Sequence, residues 1–185
     1  SFLDTDIPLT VTQILWINLI VDTFASLALS TIPPSADVMK EQPRKSSDFI
    51  LSRFVKKSVG ITAGIFFAVL LGILFYFNRW GNNTISLHDL TVFFTFFVML
   101  QFWNLMNARV LGSHQSAFSQ LLNCKGLLFV MSMILIGQIL IVEFGGKVFR
   151  TEPLDITTWL TIVAGSSLVL WIGEIVRYIQ RKTSR

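Results

Sequence analysis

Cysteine and histidine, which build many tight metal sites, are scarce in this chain of 185 residues. The single cysteine, Cys124, excludes an internal disulfide and any cluster of cysteine ligands. The two histidines, His88 and His114, stand alone at loop edges, without a partner at the spacing of metal ligands. We therefore expect both imidazoles to be solvated or to cap helices, and neither to hold a metal.

Charged residues are also few. They make up 14% of the chain, whereas 52% of the residues are hydrophobic and the mean hydropathy is +0.64. Because an ordinary soluble domain carries about 25% charged residues, the composition indicates that lipid is the solvent of this chain. The net charge of +4 does not predict nucleic-acid binding, since the basic residues are distributed among separate loops.

Five apolar stretches are long enough to cross a bilayer, which takes about 20 mostly apolar residues in a helix. They lie at roughly 10–32, 54–77, 90–110, 127–143 and 159–178, and the fourth is the shortest. The sequence therefore predicts an all-α fold, a bundle of five transmembrane helices embedded in the lipid bilayer.

The basic residues predict the orientation of this bundle. Twelve of the 15 lysine and arginine residues lie in segment 33–57, around 109–126 or in the tail from Arg177 onward. Loops rich in lysine and arginine face the cytoplasm. The first helix is therefore expected to start outside, and the carboxy terminus is expected to be cytoplasmic.

Small residues recur every four positions in the second predicted span, and so form one narrow stripe. They are Gly60, Gly64, Ala68 and Gly72. Such a stripe lets another helix approach closely, and close packing holds membrane helices together. The alternative is that these residues only reflect the general composition of membrane helices.

The first predicted span contains a carboxylate near its middle, Asp22. An ionised carboxylate at that depth costs about 2.5–3.5 kcal/mol on insertion scales, and such residues commonly mark ion or proton paths. Asn18 precedes it by four positions, so both side chains share one helical face, about 6 Å apart along the axis. We interpret the pair as part of a cation site. The competing interpretation is a buried carboxylate that is neutral or bonded to a neighbouring span.

A hard cation such as calcium takes about six to eight oxygen ligands, so this pair can supply only part of a shell. The third span offers Gln101, Asn104 and Asn107, spaced three apart on a broad face. We expect Asn104 and Asn107 to form mainly interhelical hydrogen bonds. Glu174 lies near a span end, one turn before Arg177, and is expected to pair with it.

Several runs of the sequence now resemble a known family. Residues 15–29 read LWINLIVDTFASLAL, are followed by Pro33-Pro34, and are similar to the sixth membrane helix of P-type calcium pumps, particularly those of the plasma-membrane type. The run FVMLQFWN at residues 97–104 resembles the eighth helix, and residues 138–147 resemble the ninth and tenth helices and their connection. The resemblance implies that residues 1–185 are the carboxy-terminal transmembrane domain of such a pump, helices six to ten.

The resemblance also implies roles for particular residues. Asn18 and Asp22 fall on calcium ligands of the sixth helix. Two-site pumps of the sarcoplasmic reticulum have a threonine where this chain has Val21 and a glutamate where it has Gln101. Valine cannot coordinate and glutamine is uncharged, so the resemblance implies one ion per cycle, with Gln101 a weaker candidate ligand. Two-site pumps have a glycine where this chain has Thr23, whose hydroxyl can bond its own backbone.

The family's other parts define the expected partners. The small-residue stripe resembles a feature of the seventh helix that packs on the fifth. Asp37 resembles an acidic position in a loop that contacts the phosphorylation domain, although the neighbouring acid is Ser35 here. The expected partners are therefore the preceding membrane helices and the cytoplasmic domains of the same pump. Calcium is the expected transported substrate, and ATP and magnesium are expected only in the full-length pump.

Three functions follow as hypotheses. The first is a segment of a P-type ATPase that exports calcium; the sequence contains no Asp-Lys-Thr-Gly phosphorylation motif, so ATP hydrolysis is expected only of the intact pump. The second is a sister pump for manganese, sodium or protons, because an amide and a carboxylate do not select calcium uniquely. The third is a non-catalytic membrane scaffold whose polar residues only hold helices together.

Overall fold

The computed structural model describes residues 9–32, 53–80, 85–111 and 115–183. These residues contain five helical stretches long and apolar enough to cross a membrane. They are Val11–Ser30, Val55–Asn78, Leu87–Arg109, Lys125–Phe144 and Ile156–Ile179. The described part of the chain contains no strand. The predicted all-α, five-span fold is therefore confirmed.

The first span is a composite helix. An α-helix, α1 (Val11–Trp16), passes into a π-helical segment (Ile17–Phe24), and this in turn passes into α2 (Ala25–Ser30). Its start is fixed by a capping box, in which the Thr10 hydroxyl accepts from the Gln13 backbone N–H and the Gln13 side chain accepts from Thr10 N.

Helix α3 (Arg53–Trp80) is the least buried of the spans, and Phe66 is its one buried apolar residue among those described. An apolar groove lies between its second half and two later helices, and Tyr76, Val92 and Phe96 are among the residues that line it. The carboxy-terminal half of α3 therefore lies near the start of the next helix.

Helix α4 (Leu87–Arg109) is the centre of the bundle. Ser86 and Asp89 cap its start by exchanging side-chain and backbone hydrogen bonds. Eleven of its 23 residues are buried, and Phe94 and Val98 are inaccessible to solvent. A helix that is apolar on all sides is stable when neighbours surround it, and α4 contacts the first span, α3, α5 and α7.

A short 3-10 turn (Leu121–Asn123) leads into α5 (Lys125–Phe144), which is followed by one helical turn, α6 (Gly146–Phe149), and by α7 (Ile156–Thr183). The connection after α5 is tight, because Gly146 and Arg150 have φ values of 44° and 51°. We call the end of the bundle with this turn the Phe149 end, and the opposite end the Cys124 end.

Many large apolar side chains point away from the core. Phe144 and Leu122 are each 81% exposed, and Phe129 is 70% exposed. Such a surface is expected where lipid tails cover the helices, because spanning helices satisfy their backbone groups internally and need no water. The five long apolar helices and this exposed apolar surface are those of an integral, multi-pass membrane protein.

Polar side chains join the helices at the Cys124 end. The Asn107 amide donates to the Val169 carbonyl at 3.0 Å, and its oxygen accepts from Arg177 at 2.8 Å. Arg177 also pairs with Glu174 at 2.8 Å, and Glu174 accepts from the backbone N–H of Ala117. The expected Glu174–Arg177 pair and the expected interhelical role of Asn107 are both confirmed. The same expectation was wrong for Asn104, whose side chain forms no hydrogen bond within the described residues.

Candidate ion-binding site

The two candidate ligands of the first span both lie in its π-helical segment. The spacing of Asn18 and Asp22 was argued from α-helical geometry, whereas Ile17–Phe24 is π-helical in the structure. A π-helix bonds residue i to residue i+5, which widens the turn, and short π segments are frequent at functional sites. The helix therefore widens around Asn18 and Asp22 without breaking.

Asn18 and Asp22 keep a common face in this wider helix. Their spacing of four residues is slightly more than one α-helical turn of 3.6 residues and less than one π-helical turn. The two side chains therefore stay on the same side of the helix. Both residues are exposed in the structure. They belong to an exposed surface of the first span that also includes Leu15 and Leu19, each 60% exposed, and Leu27.

Hydroxyl groups already bond to the backbone of both candidate ligands. The Thr23 hydroxyl donates to the carbonyl oxygen of Asn18 at 3.0 Å, and the Ser26 hydroxyl donates to that of Asp22 at 2.7 Å. The expected bond of Thr23 to its own backbone is thus present. The side-chain oxygens form no hydrogen bond within the described residues, so they are the groups left to bind an ion.

The opposite face of the π segment is packed against the bundle. Ile17 is only 6% exposed and belongs to the main apolar core. Trp16, the last residue of α1, packs on α5 at Gly137. One face of the segment is therefore held by apolar packing, and the other presents an amide and a carboxylate.

Gln101 is half-buried in α4, and no hydrogen bond joins it to Asn18 or Asp22 in the described ranges. Those ranges also hold no group of three or more His, Cys, Asp or Glu side chains placed to share a metal. Asn18 and Asp22 are thus at most part of an oxygen shell, and any role of Gln101 stays a prediction.

The small-residue stripe of α3 faces open space. Gly60, Gly64, Ala68 and Gly72 are all exposed, and a methyl group added at any of the three glycines would meet no atom within 4 Å. Gly72 lines the apolar groove together with Phe96 and Ile162, but the three glycines make no close contact with another helix in the described residues. The role of the stripe as a packing surface stays a prediction.

His88 was expected to be solvated or capping, but its Nδ1 lies 3.1 Å from Glu152 Oε1, so that expectation was incomplete. Asp37 and His114 lie outside the described residues, as do the two prolines after the first span.

Sequence reasoning missed two features near the site. One is the buried Gln13, whose capping signal Thr10-x-x-Gln13 was present in the sequence. The other is the buried pair of Gln138 and Thr95, in which the amide of α5 donates to the hydroxyl of α4 at 3.3 Å. A glutamine inside an apolar run indicates a hydrogen-bond partner on another helix, but the sequence does not identify that partner.

These features define a class of protein: a multi-pass helical membrane protein in which the π-helical segment of one span exposes an amide and a carboxylate. The chain belongs to the family described as "Cation transporting ATPase, C-terminus", whose pattern matches residues 6–179. This confirms the resemblance on which the sequence analysis relied.

Curated relatives cover nearly the whole chain. It is 35% identical over 182 residues to "Calcium-transporting ATPase PAT1" of Dictyostelium discoideum, covering 93% of this chain and 16% of that protein. It is 31% identical over 191 residues to "Plasma membrane calcium-transporting ATPase 2" of Oreochromis mossambicus, covering 97% and 17%. It is 35% identical over 188 residues to "Plasma membrane calcium-transporting ATPase 4" of Bos taurus, covering 94% and 15%. The chain therefore spans about a sixth of the length of these relatives.

Proposed function

We propose that this chain is the carboxy-terminal membrane segment of a P-type ATPase that exports calcium from the cytoplasm, and that Asn18 and Asp22 supply part of the ion-binding site. The observation that carries the proposal is the π segment, which presents an amide and a carboxylate on one uncovered face. The relatives, which are named as calcium-transporting ATPases, support the choice of ion.

The chemistry of the pair fits a transported hard cation. Carboxylate and amide oxygens are ligands that calcium accepts, in shells of about six to eight oxygens. A single carboxylate on an otherwise apolar helix would be costly in lipid without a positive partner. Transport then follows from alternating states: the ion binds from the cytoplasm, and phosphorylation elsewhere in the pump drives its release outside.

The proposal assigns supporting parts to the rest of the pump. The preceding membrane helices cover the exposed face of the first span and the stripe Gly60–Gly72, and they supply the remaining ligands. Asp37 contacts the phosphorylation domain, where ATP and magnesium act. The Phe149 end faces outside and the Cys124 end faces the cytoplasm, in keeping with the distribution of basic residues.

The ligand role is tested in the full-length pump by Asp22→Asn, which keeps the shape of the side chain and removes its charge. We expect the calcium concentration for half-maximal phosphorylation by ATP to rise on the order of 10-fold or more, because calcium affinity depends on the charge of its ligands. The matched control is Asp155→Asn, at an exposed helix start outside the spans. Unchanged calcium affinity in Asp22→Asn would refute the ligand role.

The choice among cations needs its own experiment, because an amide and a carboxylate also bind manganese or sodium. Transport of calcium into vesicles should persist in excess sodium and be competed by manganese only at higher concentrations. Proton transport without calcium would favour the alternative pump. The scaffold alternative requires that the longer protein contain no Asp-Lys-Thr-Gly phosphorylation motif. The complete reading frame shows whether that motif is present.

A further inference from the structure

The packed face of the first span contacts α4 beside the π segment, and it contacts the stretch formed by α5 and α6 along its whole length. The contacts with α5 and α6 occur at three heights: at the Phe149 end, in the middle beside the π segment, and at the Cys124 end. Because these contacts lie on the face opposite Asn18 and Asp22, they can set the position of the ligands without touching an ion.

At the Phe149 end the contacts are hydrogen bonds. The Gln13 amide donates to the carbonyl of Phe149 at 2.8 Å, and the Thr12 hydroxyl donates to the carbonyl of Val148 at 2.8 Å. Gln13 is 1% exposed, and its oxygen accepts from Thr10 N at 2.8 Å, so both polar ends of its side chain are used. The start of the first span is thus fixed to the last turn after α5.

That turn is itself rigidly attached. The Thr151 hydroxyl donates to the carbonyl of Ile141 at 2.9 Å, and the backbone N–H of Gly145 bonds to the same carbonyl at 2.8 Å. The backbone N–H of Glu152 donates to the Thr91 hydroxyl of α4 at 3.2 Å. A displacement of the first span relative to α5 would therefore break several bonds at once.

In the middle the contact is a steric fit. The six-membered part of the Trp16 ring lies directly over Gly137, where a Cβ atom would come within 2.7 Å of Trp16 Cζ2 and closer still to Cη2. Carbon atoms in contact lie about 3.5–4.0 Å apart, so any side chain at Gly137 would displace the ring by ~1 Å or more. Trp16 directly precedes the π segment, so a displaced ring moves the segment's first residue.

At the Cys124 end a second glycine faces the same span. A Cβ atom at Gly126 would lie 2.9 Å from the Thr31 hydroxyl, directly after α2. Ala28 of α2 is 3% exposed in the same core. The two glycines of α5 therefore permit a close approach of the first span on both sides of the π segment.

We infer that Trp16 and Gly137 are positioning residues for the ion site: their fit against α5 sets the rotation and depth of the π segment, and thereby the affinity for the transported cation. This inference rests on the proposed function of Asn18 and Asp22. The two residues act through the helix and bind no ion themselves.

The test uses the full-length pump and calcium as the probe, with the variants Gly137→Ala, Trp16→Phe and the double variant. Gly137→Ala should raise the calcium concentration for half-maximal ATPase activity roughly 10-fold, in line with changes to groups that orient metal ligands, while the maximal rate changes less. Trp16→Phe removes the ring atoms that a methyl group at position 137 would meet. The double variant should therefore return calcium affinity to within about 2-fold of the wild type, as expected for coupled neighbours.

The matched control is Gly165→Ala. Its Cβ atom would lie 3.3 Å from the Phe96 ring, a tight contact between α7 and α4 that does not involve the first span. Calcium affinity should stay within about 2-fold of the wild type in this variant, even where its stability falls, because the ligand positions are unaffected. An equal loss of affinity in Gly165→Ala would overturn the inference.

Other results of these measurements separate the positioning role from the proposed function. If Gly137→Ala does not accumulate, recovery of both protein and calcium affinity in the double variant supports the inference, and failure to recover overturns it. If Gly137→Ala keeps wild-type affinity while Asp22→Asn loses it, the positioning role is wrong and the proposed function stands. If Asp22→Asn is unchanged, the proposed function fails independently of these variants.

Discussion

Polar side chains inside the spans fall into two groups that the structure separates and the sequence does not. Gln138 and Asn107 bond to neighbouring helices, so they hold the bundle together. Asn18 and Asp22 form no side-chain hydrogen bond among the described residues and lie on an exposed face.

Sequence spacing predicted the pair Glu174–Arg177, because both lie on one helix. It could not predict the partners of Gln138 or Asn107, because those lie on other helices.

At the scale of single residues, Asp155 makes a pH-dependent contribution to the stability of the fold. Hydrogen bonds from the Thr157 hydroxyl, and then from the Thr158 hydroxyl, lower the pKa of this exposed carboxylate from 3.8 to about 2. A carboxylate whose pKa is lower in the folded state stabilises the fold above its unfolded pKa, and that contribution is lost as the pH falls through the folded pKa. The contribution of Asp155 is therefore fully present above about pH 4 and lost toward about pH 2.

Asp155→Asn tests this dependence, because asparagine can still cap α7 but does not titrate. The thermal midpoint of the purified protein in detergent should exceed that of the variant at neutral pH. The difference should shrink between about pH 4 and about pH 2. A difference in thermal midpoint that stays constant over this interval would contradict the lowered pKa of Asp155.

At the element scale, the five spans were predictable and the π segment was not. The observed fourth span, Lys125–Phe144, extends the predicted 127–143 by only a few residues, because apolar length alone identifies a membrane helix. Contacts at this segment include the hydrogen bond from the Thr23 hydroxyl to the Asn18 carbonyl and the packing of Trp16 against Gly137. Neither contact is encoded in the period of hydrophobic residues.

Asn107 joins α4 to α7 through hydrogen bonds with Val169 and Arg177. Asn107→Ala should leave Arg177, which is 9% exposed, without one hydrogen-bond acceptor. Leaving a buried polar group unsatisfied costs about 1–3 kcal/mol, so the free energy of unfolding should fall by that order. The change is measured as a lower midpoint of thermal unfolding in detergent.

Asn104→Ala is the matched control for this prediction. Asn104 lies one turn earlier on α4, is half-buried, and forms no side-chain hydrogen bond within the described parts of the chain. Asn104→Ala should therefore lower the midpoint of thermal unfolding less than Asn107→Ala does. Equal effects of the two substitutions would show that the bond to Arg177 contributes little.

At the scale of the whole molecule, burial is uneven in a way that matches a piece of a larger assembly. Helix α4 is largely buried, whereas α3 and the ligand face of the first span are exposed. Hydropathy predicted that lipid would cover apolar surface, but lipid does not satisfy the Asn18 amide or the Asp22 carboxylate. Those side chains require protein or ion partners, and the chain spans only about a sixth of its curated relatives.

This uneven burial predicts that the isolated chain binds calcium weakly. The amide of Asn18 and the carboxylate of Asp22 provide at most three side-chain oxygens, whereas calcium takes about six to eight, and weak calcium sites have dissociation constants on the order of 10⁻³ M. Calorimetric titration of the 185-residue chain in detergent should therefore detect no binding tighter than ~1 µM. Asp22→Asn in the same chain serves as the control and should give nearly the same isotherm. A submicromolar dissociation constant that Asp22→Asn abolishes would mean that this chain alone completes the shell, and that the preceding helices supply no essential ligand.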